Sequence, residues 1–370
     1  MKFIIPQKEF AAAVANVKQA VSIKAVMPAL KSILLEVQGS TLSLTATDLN
    51  ITICTTIDIS GGENGQALVD AKLLGEIVAK LPNALVSVST DNSMVSISAL
   101  SSEFNIMSMD AEDFPSVPDV GERATFSMRS DTFRSLVGGT AFAASIDDKH
   151  GVLVGCLLKI SEGGADMVAL DGFRMAIAHA DVDVDGEYSA IIPATSLTTV
   201  ASIVKSTDAA ELTVGLTEKF ARFEIGTTTT VTTRLLEGSF VKYEDILPKS
   251  FNTSIIVSRS DFVSALDRAH LFATEGKNNL VKFDIQGETN TMLITSRASG
   301  GSGREEVAVD FDGKPLVIGF NDKYVLDALK NISQDEVRIE FTSPNSASII
   351  KSVDDDTFTH LVLPVRLKEA

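Results

Sequence analysis

The spacing of apolar and polar residues along the chain predicts six short helices, each flanked by strands. The predicted helices are residues 8–20, 71–80, 129–138, 195–205, 259–268 and 322–331. Between them, apolar and polar side chains alternate in runs rich in Thr, Val, Ile and Ser, which is typical of antiparallel strands with one buried face. The pattern therefore predicts a fold of the α+β class.

The same pattern occurs three times in the chain. Equivalent apolar residues mark the two helices of each repeat: Phe10, Phe133 and Phe262 in the first helix, and Leu74, Leu197 and Val325 in the second. The interval along the chain between successive first helices is nearly the same as that between successive second helices. Within each repeat, the number of residues from the first helix to the second is also nearly constant. Two independent sets with one period indicate a repeated folding unit.

Proline-bearing segments separate the repeats. These segments are DFPSVPDVGERA at 113–124 and YEDILPKSFN at 243–252. A chain of 370 residues also exceeds the usual size of a single hydrophobic core. We therefore predict three tandem similar domains at residues 1–120, 121–250 and 251–370.

Composition excludes several classes of protein. Apolar residues make up 45% of the chain and charged residues 22%, which is typical of a folded globular protein. No apolar run is long enough to span a bilayer, and Pro6, Lys8 and Glu9 interrupt the apolar N-terminus, so we expect neither signal peptide nor membrane anchor. Cys54 and Cys156 lie in separate strand-like runs without a CxxC motif. These features predict a cytoplasmic protein without disulfide, metal or cofactor.

The charges are unevenly distributed. The chain has a net charge of −17, which by itself argues against a nucleic-acid partner. The six predicted helices, however, carry eleven Lys or Arg and seven Asp or Glu, a net charge of +4 that leaves −21 for the remainder. If the helices share one face, they form a mildly basic surface on an acidic body. Such a surface attracts a phosphate backbone without reading base sequence.

Motifs for catalysis are weak or missing. The chain has no Walker loop, HExxH or GxSxG motif. The glycine-rich segment Gly300–Arg304 is expected to be a flexible hairpin loop, and the Ser202/Lys205 pair has no companion motif. A non-enzymatic protein is favoured over an enzyme that acts on an acidic or nucleotide substrate.

Seven segments carry a resemblance to one known family. They are MKF at the start, LSLTATDL at 42–49, DFP at 113–115, ALDGFRMA at 169–176, LLEGSFVKYEDILPK at 235–249, IGFNDKYVLDAL at 318–329 and LVLPVRL at 361–367. In order and spacing, the chain resembles the bacterial sliding clamps, the β subunits of DNA polymerase III. The resemblance implies a DNA clamp fold, in which each domain has two helices plus two antiparallel sheets.

The resemblance also implies an assembly and a partner. Family members form a head-to-tail homodimer, a ring of six domains that encircles double-stranded DNA and acts as a processivity factor. The cations expected to face the DNA are Lys24, Lys72, Lys80, Arg134, Lys149 and Lys205. At the dimer interface, Phe104 and Ile106 of one subunit are expected to meet Leu271 and Phe272 of the other.

Partner proteins of this family insert short peptides into a groove. Carried over to this chain, the groove consists of Leu153, Leu170, Gly172, Phe173, Arg174, Met175, Val241, Ile246, Asn321, Tyr324, Leu363, Pro364 and Val365. Arg174 is expected to offer its N–H donors to the peptide. The implied partners are the DNA polymerase III α subunit, the clamp loader and other polymerases and repair proteins. A clamp-like scaffold that assembles proteins without encircling DNA remains the alternative.

Overall fold

The structure is a computed structural model that describes residues 1–22, 25–117, 120–121, 124–184, 186–275 and 279–367. The chain forms two compact units. Unit 1 contains Met1–Asp131 and Thr199–Leu235, and unit 2 contains Thr132–Thr198 and Leu236–Ala370. Each unit therefore combines one end of the chain with part of its middle third.

The described residues contain six α-helices, as the apolar spacing predicts. They are α1 Gln7–Val17, α2 Ala71–Lys80, α3 Ser130–Thr140, α4 Ala194–Thr207, α5 Arg259–Ala273 and α6 Asp322–Lys330. Each begins within one residue of its predicted start. Side-chain caps fix several of these starts: the Asp70 carboxylate accepts from the Leu73 N–H at 2.7 Å, and the Asn321 side chain accepts from the Lys323 N–H at 3.1 Å. None of these helices is long and apolar enough to cross a membrane.

Antiparallel strands make up most of the remainder. In the first third they are β1 Lys2–Pro6, β2 Ser32–Gln38, β3 Thr41–Thr47, β4 Ile51–Asp58, β5 Gly62–Glu63, β6 Gly65–Asp70, β7 Leu85–Asp91, β8 Met94–Ala99 and β9 Ser102–Met109. In the middle third they are β10 Ala124–Arg129, β11 Gly155–Ser161, β12 Gly164–Leu170, β13 Arg174–Ala180, β14 Tyr188–Pro193, β15 Glu211–Leu216, β16 Phe220–Ile225 and β17 Thr229–Arg234. In the last third they are β18 Thr253–Ser258, β19 Leu280–Gln286, β20 Thr291–Ala298, β21 Gly301–Ala308, β22 Asp310–Gly313, β23 Leu316–Asn321, β24 Glu336–Phe341, β25 Ser348–Ser352 and β26 Phe358–Val362.

Unit 1 is built on one sheet with the strand order β10-β15-β16-β17-β4-β3-β2-β6-β9-β8-β7-β1-β5. The pairing of β17 with β4, in which Val231 lies opposite Ile53, joins strands of the middle third to those of the first. At this seam the buried hydroxyls of Thr55 and Thr229 lie 3.1 Å apart. Helices α1 and α2 pack against each other in the same unit.

Unit 2 contains a nine-stranded and a four-stranded sheet. Their orders are β14-β11-β12-β13-β26-β25-β24-β18-β22 and β21-β20-β19-β23. In the larger sheet β13 pairs with β26, so that Met175 lies opposite Leu361. Helix α5 packs on β20 and β21 and contacts α6.

The hydrophobic core confirms the repeat. The residues that mark equivalent helical positions are all buried: Phe10, Phe133, Phe262, Leu74, Leu197 and Val325. In unit 2 the aromatic core extends from Phe262 to Phe283 (ring centroids 5.6 Å apart) and from Phe283 to Phe320 (5.3 Å). The apolar spacing in the sequence therefore identifies the buried face of each helix correctly.

The prediction of a flexible loop at Gly300–Arg304 is wrong. Most of this segment belongs to β21, which pairs with β20 from Ala298 opposite Gly301 onward. A Cβ atom on Gly301 would lie 2.8 Å from the ring of Phe272. The glycine is therefore needed because the Phe272 ring of α5 packs directly on the strand.

The predicted helical charge is also too large. With the observed bounds, the six α-helices of the described residues carry nine Lys or Arg and seven Asp or Glu. The difference arises because Lys18 lies in the 3₁₀ turn Lys18–Ala20 and Arg129 ends β10. The excess of positive charge on the helices is thus +2 rather than +4.

His360 on β26 lies in the core of unit 2. Neither of its ring nitrogens has a hydrogen-bond partner among the described residues. Its ring lies 5.7 Å from that of Phe142 and 6.4 Å from that of Phe358, measured between centroids. Burial lowers the pKa of His360 from 6.5 to about 4, because the site stabilises only the neutral imidazole.

We therefore expect mild acid to destabilise unit 2. Between pH 6.5 and pH 4 the unfolded chain binds a proton at His360 that the folded chain excludes, so stability is full above pH 6.5 and decreases toward pH 4. The loss reaches about 3 kcal/mol. Urea titrations at a series of pH values should give a smaller decrease for His360→Leu than for the wild type. His150→Gln, which removes an exposed imidazole, is the control; equal pH dependence in wild type and His360→Leu would contradict the expectation.

Candidate functional site

The turn between β12 and β13 presents the segment Gly172–Phe173 to solvent. The Asp171 carboxylate accepts hydrogen bonds from the backbone N–H groups of Phe173 (2.8 Å) and Arg174 (3.0 Å). Gly172 adopts a φ of +90°, which strongly favours glycine. The Asp-Gly sequence thus forms a tight turn with the Phe173 side chain exposed.

The guanidinium of Arg174 is held by residues of its own chain. It donates to the Asp171 carboxylate at 3.1 Å, to the Asp327 carboxylate at 2.5 Å and to the Phe142 carbonyl at 2.7 Å. It also lies over the rings of Tyr324 (4.6 Å) and Phe142 (5.4 Å). Three of its five N–H groups are therefore used within unit 2. The expectation that Arg174 offers donors to a peptide stays a prediction, and it concerns the two N–H groups that these contacts leave.

Phe173 and Tyr324 form an aromatic pair beside this arginine. Their rings are stacked with centroids 6.4 Å apart and planes 25° apart. The Phe173 side chain is 59% exposed, whereas Tyr324 is partly buried between Phe173 and Arg174. Burial raises the pKa of Tyr324, and the nearby Asp171 carboxylate adds to the effect. The tyrosine therefore stays neutral and supports the exposed ring.

The C-terminal segment runs beside this pair. The Leu363 N–H donates to the Phe173 carbonyl at 2.9 Å, and the Val365 N–H donates to the Gly319 carbonyl at 2.8 Å. A Cβ atom on Gly319 would lie 2.7 Å from the Val365 carbonyl oxygen. Pro364 between them cannot donate, which suits a position past the end of β26.

A buried apolar cluster in unit 2 extends under the predicted groove. Leu170 and Met175 belong to it, and Leu153 packs against it. The exposed apolar residues Phe173, Val241, Ile246 and Leu363 each lie two or three positions along the chain from a residue of this cluster. Asn321, by contrast, uses its side chain to cap α6. These thirteen predicted groove residues all belong to unit 2.

The predicted DNA-facing cations lie on the surface of their units. Lys72 and Lys80 on α2 and Lys205 on α4 are exposed in unit 1, and Arg134 on α3 and Lys149 are exposed in unit 2. Lys24 lies outside the described residues. Exposure is consistent with a DNA-facing role for the other five.

The predicted interface residues differ in exposure. Leu271 is 67% exposed on α5, and Phe104 on β9 is also exposed. Phe272 is partly buried against β21, and Ile106 is buried within its own unit. Leu271 and Phe104 are thus the better candidates for contact with a second subunit.

The described residues offer few side-chain groups suited to catalysis or metal binding. The described residues contain no group of three or more His, Cys, Asp or Glu side chains that could hold a metal ion. Cys54 and Cys156 are free, and burial raises the pKa of the Cys156 thiol to about 12. That thiol stays protonated at neutral pH and is a poor nucleophile.

Sequence reasoning missed four residues that shape the groove: Asp171, Asp327, Phe142 and Gly319. Asp171 could have been found, because an Asp-Gly pair between two strands is a turn signal. Asp327 and Phe142 could not, since they lie 153 and 32 residues from Arg174 in the chain.

Comparison with known proteins gives matches along nearly the whole chain. Residues 1–118, 127–242 and 244–366 match the N-terminal, central and C-terminal domains of the DNA polymerase III beta subunit. A beta sliding clamp from Bacillus subtilis is 31% identical over 379 residues, covering 99% of this chain and 100% of that protein. The solved polymerase sliding clamp from Bacillus subtilis is 30% identical with a TM-score of 0.92, covering all of both chains. The DNA polymerase III beta subunit from Thermotoga maritima is 26% identical with a TM-score of 0.94, covering 99% of this chain and 100% of that one.

Three tandem α+β domains with this strand pairing define a protein of the DNA clamp class. Within that class, the chain belongs to the DNA polymerase III beta subunit family. Its function is that of a DNA sliding clamp, a non-catalytic processivity subunit of the polymerase III holoenzyme. The family resemblance seen in the sequence is thereby confirmed, and the alternative of a scaffold that does not encircle DNA is not supported.

Proposed function

We propose that the chain works as a head-to-tail homodimeric ring around duplex DNA, with the helices facing the DNA. Each subunit contributes three domains, at residues 1–120, 121–250 and 251–370. Short peptides of partner proteins bind the groove in unit 2. The partners are the polymerase III α subunit, the clamp loader and other polymerases and repair proteins, and the location is cytoplasmic.

The observation that carries the peptide groove is its exposed apolar rim, formed by Phe173, Val241, Ile246 and Leu363. These residues are 39–59% exposed, although each lies within three positions along the chain of a residue of the buried cluster. Apolar side chains over a well-packed apolar floor are the usual form of a peptide-binding hot spot. The rim therefore supports docking of a short peptide with apolar anchors.

Unpaired strand edges support the ring. Among the described residues, positions 102–107 of β9 pair only with β8, and β21 pairs only with β20. Exposed Phe104 lies on β9, and α5, which carries exposed Leu271, packs on β21. An edge of this kind is normally covered in the assembled protein. Contact between β9 of one subunit and the α5–β21 region of the other is heterologous and closes after two copies.

We expect Leu271→Lys to separate the ring into monomers. A lysine there places an uncompensated charge in the proposed apolar contact. Light scattering after size exclusion should give nearly twice 39.4 kDa for the wild type and close to 39.4 kDa for the variant. Leu85→Lys changes a similarly exposed leucine on β7 and should leave the dimer intact. A variant at Leu271 that stays dimeric would show that the interface lies elsewhere.

We expect retention of the protein on DNA to depend on encirclement more than on its affinity for phosphate. Substituting Lys72, Lys80 or Lys205 by Gln should lower the affinity for linear duplex additively and regardless of sequence, because each cation contacts phosphate only. A salt concentration that releases the protein from linear duplex should leave it on closed circular DNA, once a clamp loader has placed it there. The reason is that salt screens charge but does not open a ring.

Gel filtration of DNA-bound protein over a salt series measures this retention. Lys249→Gln, an exposed lysine outside the helices, is the control for the lysine variants. Equal loss of protein from circular and linear DNA, or a sequence-specific footprint, would contradict encirclement.

We expect truncation of the rim to abolish tight peptide binding. Phe173→Ala with Leu363→Ala removes two exposed anchors and should weaken binding of a glutamine-, leucine- and phenylalanine-containing peptide by well over tenfold, since each hot-spot anchor contributes about 2–4 kcal/mol. Met175 is unsuitable because it is buried and its truncation leaves a core cavity. Fluorescence anisotropy measures the affinity, with Val317→Ala, at a position on β23 as exposed as Leu363, as control. Unchanged affinity in the double variant would refute the groove.

A further inference from the structure

Asp327 lies on α6 and forms one side of the Arg174 site. Its carboxylate accepts the 2.5 Å hydrogen bond from the Arg174 guanidinium and, among the described residues, makes no other side-chain hydrogen bond. Tyr324 precedes it by three residues and so lies on the same face of the helix. One face of α6 thus gives the guanidinium both a charged partner at its edge and an aromatic ring against its plane.

The guanidinium in turn supports the aromatic pair at the groove. The Arg174 side chain is only 11% exposed, so its charge depends on partners within the chain. The contacts continue outward from Asp327 to Arg174, from Arg174 to the Tyr324 ring at 4.6 Å, and from Tyr324 to the exposed Phe173 ring at 6.4 Å. A change at Asp327 is therefore transmitted to the exposed Phe173 ring through three contacts.

A substitution at Asp171 would disturb the turn as well as the guanidinium. Its carboxylate also accepts the backbone N–H groups of Phe173 and Arg174 and so forms the turn itself. Asp327 contacts Arg174 through its side chain alone, which makes it the cleaner test of the guanidinium's position.

We propose that Asp327 is a positioning residue for partner-peptide binding: it holds Arg174 against the Tyr324 ring and thereby keeps the Phe173–Tyr324 pair preorganised, without itself contacting the peptide. The inference rests on the peptide groove proposed above. A preformed aromatic surface lowers the conformational cost of binding, because the rings need not be ordered when the peptide arrives.

The test compares Asp327→Asn with the wild type in the full-length protein. The substitution keeps the size of the side chain and removes the charge, so the charge-assisted hydrogen bond is weakened while the helix is retained. Binding of the glutamine-, leucine- and phenylalanine-containing peptide should weaken about tenfold. Asp267→Asn, an exposed aspartate on α5, should bind as the wild type does.

A spectroscopic measurement distinguishes positioning from general destabilisation. The chain has only three tyrosines, so protein labelled with 3-fluorotyrosine gives three ¹⁹F resonances, and Tyr324→Phe assigns that of Tyr324. In Asp327→Asn the Tyr324 resonance should shift while those of Tyr188 and Tyr243 stay in place. Combining Asp327→Asn with Arg174→Lys should weaken binding by less than the product of the two single effects, because both act through one contact.

The outcomes separate the two proposals. Weaker binding with an unmoved Tyr324 resonance, or wild-type binding with a shifted one, overturns the positioning role of Asp327 while the groove stands. A peptide that fails to bind the wild type, or binds the Phe173→Ala, Leu363→Ala variant equally well, overturns the groove and with it the inference.

Discussion

Two long-range strand pairings determine the architecture of the units: β4 with β17 in unit 1, and β13 with β26 in unit 2. The first joins Thr55 to Thr229 and the second joins Arg174 to Val362. Without them, each of these strands would leave a row of unpaired backbone groups at a sheet edge, which is costly when buried and prone to aggregation when exposed. The pairing of β13 with β26 also brings Leu363 beside Phe173, so the proposed groove depends on this register.

The polar part of the groove follows from that register. Once β13 is paired, Arg174 lies in a partly buried position where a charge without partners would be strongly unfavourable. It is stabilised by two carboxylates, one carbonyl and two aromatic rings from separate parts of unit 2. The apolar rim is different, since its four partly exposed side chains gain further hydrophobic stabilisation only when the proposed peptide covers them.

The charge distribution suits a protein that moves along DNA. The helices of the described residues carry a small positive excess while the chain as a whole is strongly acidic. Many close phosphate contacts would raise affinity and slow movement along the duplex, because each neutralised phosphate adds to sequence-independent binding. In the proposed ring, a few exposed cations centre the duplex while topology supplies retention.

The sequence alone determined the helices, the threefold repeat, the buried residues such as Phe10, Phe133 and Phe262, and the family, because apolar periodicity is a local property and segment order can be compared directly. It also identified the exposed rim residues Phe173 and Leu363 through the family resemblance. The sequence did not show that Gly301 lies in a strand paired with β20, since its glycines are typical of a loop and are explained only by the Phe272 ring of α5 that packs on the strand. Nor did it show that Asp327 and Phe142 hold Arg174, because those contacts join residues far apart in the chain whose proximity is decided by strand pairing and helix packing.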